Sequence, residues 1–419
     1  MNVELLTDLR VVESSAFIAA PLAGMTLAQF GADVIRIDMI GGGIDYARLP
    51  LVAGGRSLYW TGLNKGKRSF AVDIRRPEGR ELVQELATSP GEQGGVLLTN
   101  IGVPWLGHEL LSKRRSDLIS CTIEGNPDGS TAVDYTVNCA TGLPFITGPG
   151  TRDSPVNHVL PAWDLACAYQ AAFAIAAAAM NRVRTGKGAE LRLALSDVAF
   201  SALSHLGMLA EAELLLQERP ALGNYLYGAF GRDFGTQDGH RVYVAGISLA
   251  QWKSLVRACE MQPAMDRLQS QLGLDFTKEG DRFQAREAIA KEIDRWVGSR
   301  TIAQVRHTFE EHSVCWGPYQ TVQQALAHDP RVSSANPIFE RIHTPGVGTH
   351  LASGTPVRLG GQARHPTAVA PILGAHTDEV LMDVLKLDSA AVGRLHDAGV
   401  VAGPERDPLM SSGQPRSLA

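Results

Sequence analysis

The first 130 residues alternate between short apolar runs and helix-period segments, and no other feature of this chain restricts its fold as much. Leu9–Glu13 (LRVVE) reads as a buried strand, Pro21–Phe30 as a helix and Ala32–Asp38 (ADVIRID) as a second strand. Pro77–Ala87 follows as a helix, with Gly95–Thr99 and Asp117–Ile123 as further strands. Strands separated by helices require right-handed crossovers, so the expectation is an α/β fold with a parallel sheet covered on both faces. Ligands of such sheets sit where strands end and loops begin.

At 419 residues the chain exceeds what one core sustains, which predicts two or three domains. Residues 124–160 are rich in Gly, Pro, Asn, Asp and Thr and read as a long irregular region of the functional kind. An Ala-rich helix is expected from near Asp164 to the Gly186-Lys187-Gly188 turn. A strand over Ala189–Leu195 follows, then a long helix over Ser196–Gln217 with Ser196 as its N-cap. Composition changes at Arg219–Asp238, which holds four glycines and four aromatics. The reading is a large domain from 1–218 and 330–419, with a smaller α+β domain at 219–329. Residues 330–370 read as a wrapping linker and the last dozen as frayed.

Lys plus Arg is 39 against 44 Asp plus Glu, a net charge of -5, and no segment gathers a basic stripe. That excludes a nucleic-acid partner. Five scattered cysteines without a Cys-x-x-Cys pair fit a reducing compartment and neither a zinc ribbon nor a disulfide scaffold. The start of the chain shows no basic and apolar leader, and Leu165–Met180 is about 16 mostly Ala residues, too short and too weakly apolar for a span. We therefore expect a cytoplasmic protein with no membrane segment and Leu165–Met180 as core helix. No P-loop, H-E-x-x-H, G-x-S-x-G or G-x-G-x-x-G is present. His307 and His312 in HTFEEH do not fall one turn apart, so a solvated helix face is preferred to a metal site.

Several segments gain meaning from their order: Phe30–Asp38 (FGADVIRID), Gly41–Arg48 (GGGIDYAR), Leu63–Asp73 (LNKGKRSFAVD), Leu97–Asn100 (LLTN), Pro161–Asp164 (PAWD) and Pro371–Leu381 (PILGAHTDEVL). Together they resemble the class III CoA-transferase (CaiB/BaiF) family from about residue 8 to 402. The resemblance implies a Rossmann-like large domain, a small α+β domain and an interlocked homodimer. It implies no cofactor beyond coenzyme A, which arrives within an acyl-CoA substrate.

By the same resemblance Asp164 matches the aspartate that attacks the thioester, since a carboxylate forms a mixed anhydride at least as reactive as a thioester. From the residues alone Asp164 is equally a helix N-cap, and that blander reading would win without the family. Arg36, Lys67, Arg68 and Asn100 match positions that contact CoA, and Arg and Lys suit phosphate. Gly66 interrupts the Lys–Arg stretch. Ile101 and Gly102 replace the family's aromatic and basic residues, so only Asn100 carries over there. For each cation the alternative is a solvated surface charge.

Two departures narrow the reaction. The racemase branch uses a His–Asp pair where this chain has Val133, which argues against α-proton exchange. The glycine run of the formyl-CoA branch corresponds to GNYLYGAFGRDF, where Tyr225, Tyr227 and Phe230 interrupt the glycines. These aromatics are either a bulkier lid that retains a free acid or ordinary core. Long stretches such as VDYTVNCATGLPFITGP and NHVLPAWD point to the branch that moves CoA between the two carboxyls of one acid. That branch interconverts 2-methylfumaryl-CoA and 3-methylfumaryl-CoA through aspartyl anhydride and aspartyl-CoA intermediates. Alternatives are an intermolecular transferase for itaconate, mesaconate or succinate, and a CoA-binding protein without catalysis. Tyr135, Asn138 and His158 are candidates for gripping the distal carboxylate, Arg48 is a possible anchor for a phosphate or a substrate carboxylate, and Tyr225 and Tyr227 are further substrate candidates.

Overall fold

The structure is a computed structural model that describes residues 2–148, 153–216 and 218–410. Its contacts divide the chain into two units. One takes the described residues of Met1–Thr141, Val159–Met208 and Pro330–Ala419; the other takes those of Gly142–His158 and Leu209–Asp329.

The first unit is built on six parallel strands: β1 (Arg10–Ser14), β2 (Asp33–Asp38), β3 (Arg68–Val72), β4 (Val96–Thr99), β5 (Ile119–Glu124) and β6 (Ala189–Ala194). Their order is β3-β2-β1-β4-β5-β6, and a short antiparallel strand, Val401–Ala402, closes the β3 edge. Val11 and Val12 of β1 and all four residues of β4 are buried, as a sheet covered on both faces requires. Helix Pro77–Ala87 starts on a proline and lays Leu82, Val83 and Leu86 into a core shared with Ile35, Phe70 and Leu97. Strand order reverses between β1 and β4, so the crevice for a ligand lies outside the carboxyl ends of those two strands.

Three features depart from the sequence reading. The 124–160 region is not wholly irregular, since it forms helices Asp134–Ala140 and Leu143–Ile146. The expected helix from Ser196 is two helices, Leu195–His205 and Met208–Leu215, interrupted at Gly207 where φ is +72°, and Ser196 lies inside the first rather than capping it. Residues 330–370 contain an antiparallel hairpin, Phe339–Thr344 with Gly348–Ser353. Gln217 and the tail 411–419, read from sequence as a helix end and a frayed terminus, lie outside the described residues.

The Ala-rich helix runs from Ala162 to Thr185 and ends on left-handed Gly186. Among the described residues it is the one helix long and apolar enough to cross a membrane by length and composition. It is not the fully buried core helix that its sequence suggested, because Tyr169, Phe173, Met180 and Val183 are exposed.

The second unit holds a three-stranded antiparallel sheet, Phe230–Gly235, Arg241–Gly246 and Cys315–Pro318, packed with helices such as Leu249–Ala258 and Arg286–Gly298. Phe230, Phe234, Trp252, Leu255 and Phe309 form its core. Phe230 therefore belongs to a buried strand and not to a mobile lid.

Candidate active site

Asp164 lies in the first turn of helix Ala162–Thr185, partly buried. It does not cap that helix. The cap comes from another segment: the Asp134 carboxylate accepts the backbone N–H of Trp163 at 2.6 Å and of Asp164 at 3.0 Å. Two orphan donors of the helix start are thereby satisfied, and the Asp164 side chain is left available for chemistry. Trp163 is fixed as well, since its indole N–H donates to Asn138 Oδ1 at 3.1 Å. Burial, and then the nearby Asp134 charge, push the Asp164 carboxyl from 3.8 up to about 7.

The loops after β1, β2 and β4 are tied together at the crevice. Asn100, just past β4, accepts the N–H of Ala16 at 2.9 Å and donates to its carbonyl at 2.7 Å. Phe17 follows in the left-handed region at φ 65° and donates its N–H to Asp45 at 3.0 Å. A non-glycine residue there costs about 1 kcal/mol, which the ties on either side offset.

Below these loops Arg36 is buried with every nitrogen engaged. Its Nε donates to Asp38 at 2.9 Å; one terminal nitrogen meets Glu13, Ser15 Oγ and Asn64, and the other meets the Ser15 carbonyl and Asp45. Lys67 Nζ donates at 2.8 Å to each of Glu13, the Pro21 carbonyl and Asn64. Three acceptors around three protons hold an ammonium, while burial pulls Lys67 down to about 8. Burial likewise raises the Asp38 carboxyl, which donors from Arg36 and Ser69 partly counter. Gly24 is packed so closely that a Cβ there would sit 1.7 Å from Glu13 Oε2.

These cations are thus not on the surface where the sequence reading had them meeting phosphate. Taking a charge out of water is costly, so Arg36 is paired with three carboxylates and Lys67 with Glu13, and together they brace the loops that face the crevice. Arg68 opens β3 at the end of the sheet where strands begin, bonded to Asp33 and Glu379. Gly66, between Lys65 and Lys67, turns at φ +77°.

Arg48 remains exposed. Its guanidinium carbon stands 5.4 Å from the Phe17 ring centroid and 5.0 Å from that of Tyr59. Among the described residues no carboxylate pairs with it. Tyr135 is exposed and within 3.5 Å of the Val159 carbonyl, while Asn138 is buried against Trp163. His158, Tyr225 and Tyr227 belong to the second unit. There Tyr225 accepts from Arg232 at 2.9 Å, and Tyr227 donates to Glu211 at 2.9 Å beneath the Arg219 guanidinium.

Sequence reasoning missed Asp134, Asp45, Glu13 and Tyr59. Asp134 follows Val133, at the site of the racemase His–Asp pair, so that comparison carried a signal for it. Nothing about Tyr59 in SLYW stood out.

A partly buried carboxylate at a helix start, with its pKa raised and its helix capped by another residue, suits covalent acyl transfer. The model of CoA-transferase family III matches residues 6–377, and the chain belongs to that family. It is 51% identical over 404 residues to the 2-methylfumaryl-CoA isomerase of Chloroflexus aurantiacus, covering 96% of this chain and 99% of that protein. Human succinyl-CoA:glutarate CoA-transferase is 28% identical over 417 residues, covering 96% of this chain and 90% of its own. Among solved structures, a CaiB/BaiF family protein from Brucella suis matches with a TM-score of 0.74 at 24% identity, covering 91% of this chain and all of that one, which is a likeness of fold.

Proposed function

We propose that this enzyme interconverts 2-methylfumaryl-CoA and 3-methylfumaryl-CoA by moving CoA between the two carboxyls of one bound mesaconate. The observation that carries the reading is the Asp164 carboxylate, released from capping by Asp134 and poised to ionise near neutral pH. The 51% identity to an isomerase of that name supports the choice of substrate.

Asp164 attacks the thioester carbonyl, the C–S bond breaks, and CoA leaves as thiolate with a mixed anhydride behind it. The thiolate attacks the aspartyl carbonyl of the anhydride, giving aspartyl-CoA and the mesaconate dianion. The other carboxylate attacks aspartyl-CoA and expels the thiolate again. Attack of that thiolate on the new acyl carbonyl gives the product and restores Asp164. No net proton is consumed, and the scheme calls for no group beyond the CoA of the substrate. Retaining the acid between steps makes the second attack intramolecular. In this reading Arg36, Lys67 and Asn100 act on CoA through the loops that they brace.

The exposed stripe Tyr169, Phe173, Met180 and Val183 recurs at helical spacing, and we assign it to contact with a second copy in a homodimer. Light scattering on the purified chain tests this, with a monomer at micromolar concentration refuting it. For the reaction, incubation of 2-methylfumaryl-CoA with labelled free mesaconate is the test. Isomerisation without label in the thioester is expected. Rapid incorporation would favour the intermolecular transferase instead.

A further inference from the structure

Two groups at this site have no use in the scheme above. The Tyr59 hydroxyl is buried and, among the described residues, without a hydrogen-bond partner. A buried hydroxyl left unpaired is unfavourable, and its persistence next to a reactive group points to a ligand that completes it. Arg48 is the second, a guanidinium held against two aromatic rings and, among the described residues, in no ion pair with a carboxylate. Arg36, by contrast, is bonded to three carboxylates.

The fold brings the two together deliberately. Ser57 caps the helix Leu58–Leu63 that carries Tyr59, accepting the Trp60 N–H at 3.0 Å, and it donates to the Arg48 carbonyl at 2.5 Å. The intervening turn is closed by Leu58 N–H to Pro50 at 2.8 Å and Val52 N–H to Arg56 at 2.9 Å. It is fastened to the end of the chain by Arg56 and Tyr46, both on Asp407 at 2.8 Å. Phe17, the other ring near Arg48, is set by the Asp45 and Asn100 ties already described. Arg48 and Asp164 both act on the Tyr59 hydroxyl electrostatically, which places the cation, the phenol and the nucleophile in one neighbourhood. Burial keeps that phenol neutral, pushed up to about 12, so it can only be a neutral donor to an anion or an acceptor.

We propose that Arg48 and Tyr59 grip the free carboxylate of the dicarboxylic acyl group while its other carboxyl reacts at Asp164. A guanidinium held near two rings at 5.4 and 5.0 Å keeps its N–H groups for a carboxylate, which it can bind in bidentate fashion, and the Tyr59 O–H supplies a further donor. The grip serves both thioesters, because after the acid turns round it holds the carboxylate just released. This makes the pair a determinant of diacid specificity and of retention of the acid. The inference rests on the proposed reaction, and its test separates the two.

The test uses the intact enzyme, with hydroxylamine trapping Asp164-bound acyl or thioester groups and mass spectrometry reading the hydroxamate. Two thioesters are compared: 2-methylfumaryl-CoA and 2-methylcrotonyl-CoA, in which a methyl replaces the distal carboxylate. For the unaltered enzyme the trapping rate per unit concentration should favour the diacid at least 100-fold. Arg48→Gln should shrink that preference about 100-fold and Tyr59→Phe about 10-fold, each by slowing the diacid alone. Arg48→Lys should keep an intermediate preference. An unchanged preference, or equal losses with both thioesters, overturns the assignment. If the unaltered enzyme labels Asp164 with neither thioester, the proposed reaction itself fails.

Discussion

Asp134→Asn isolates what a second carboxylate does to the nucleophile. An asparagine keeps a side-chain oxygen to accept the Trp163 and Asp164 N–H groups, bonded at 2.6 and 3.0 Å in the native helix start, so the geometry survives while the charge goes. The rise of Asp164 from 3.8 to about 7 has burial as its larger cause and Asp134 as its smaller. At about 1.4 kcal/mol per pH unit that rise opposes ionisation by roughly 4 kcal/mol, of which the Asp134 charge supplies less than half. Removing it should lower the Asp164 pKa by about 1 unit. Attack requires the ionised carboxylate, so kcat/KM for isomerisation rises with pH and levels off above about 7 in the native enzyme. In the variant the same limb should level off near pH 6, making it the faster enzyme, relative to its own plateau, at pH 5.5. The assay is chromatographic separation of the two thioesters between pH 5 and 9. An unmoved or higher midpoint would refute the electrostatic argument, and a collapse of activity at every pH would show that capping by a true carboxylate is indispensable.

The remaining predictions concern stability and the buried charges. Asp164→Asn should abolish isomerisation yet resist urea better at pH 8 by about 2 kcal/mol, less than the full linkage because the site is partly open. The folded pKa of Asp164 lies above its unfolded value of 3.8, so the native penalty is absent below pH 4, grows through pH 7 and stays above it. The advantage of the variant should therefore vanish at pH 4. Gly24→Ala forces a methyl into Glu13 Oε2 and should cost about 2 kcal/mol of unfolding free energy, measured by urea titration. Lys67→Met leaves Glu13 buried without its ammonium and should cost about 3–5 kcal/mol. If Lys67 met a CoA phosphate instead, the same variant would raise KM with the midpoint unchanged.

How much of this was readable in the sequence depends on the kind of interaction that fixes each part. Apolar runs bounded by turn residues mark five of the six parallel strands to within a residue or two, because burial on both faces demands them over a short span, while Arg68–Val72, preceded by Lys65 and Lys67, does not stand out as a strand. The wide burial of helix Ala19–Gln29 follows similarly from its Ala, Leu and Gly content. A run of alanines, however, says that a helix can be covered and not that it is, and Ala162–Thr185 leaves a broad apolar face uncovered by its own chain. The candidate site was legible only where one residue is proposed to carry the chemistry. Asp164 stands at a helix start whichever role it has, and its own position could not tell nucleophile from cap. What removes the cap reading is Asp134, thirty residues earlier, whose carboxylate takes the capping bonds. The cations misled for a related reason. Arg36 and Lys67 look like ligand contacts because the acids that neutralise them are scattered over Glu13, Asp38 and Asp45, and only strand register brings Glu13 opposite Arg36. Arg48, by contrast, is exposed and in no ion pair among the described residues, and that is visible only once the acids around it have been placed.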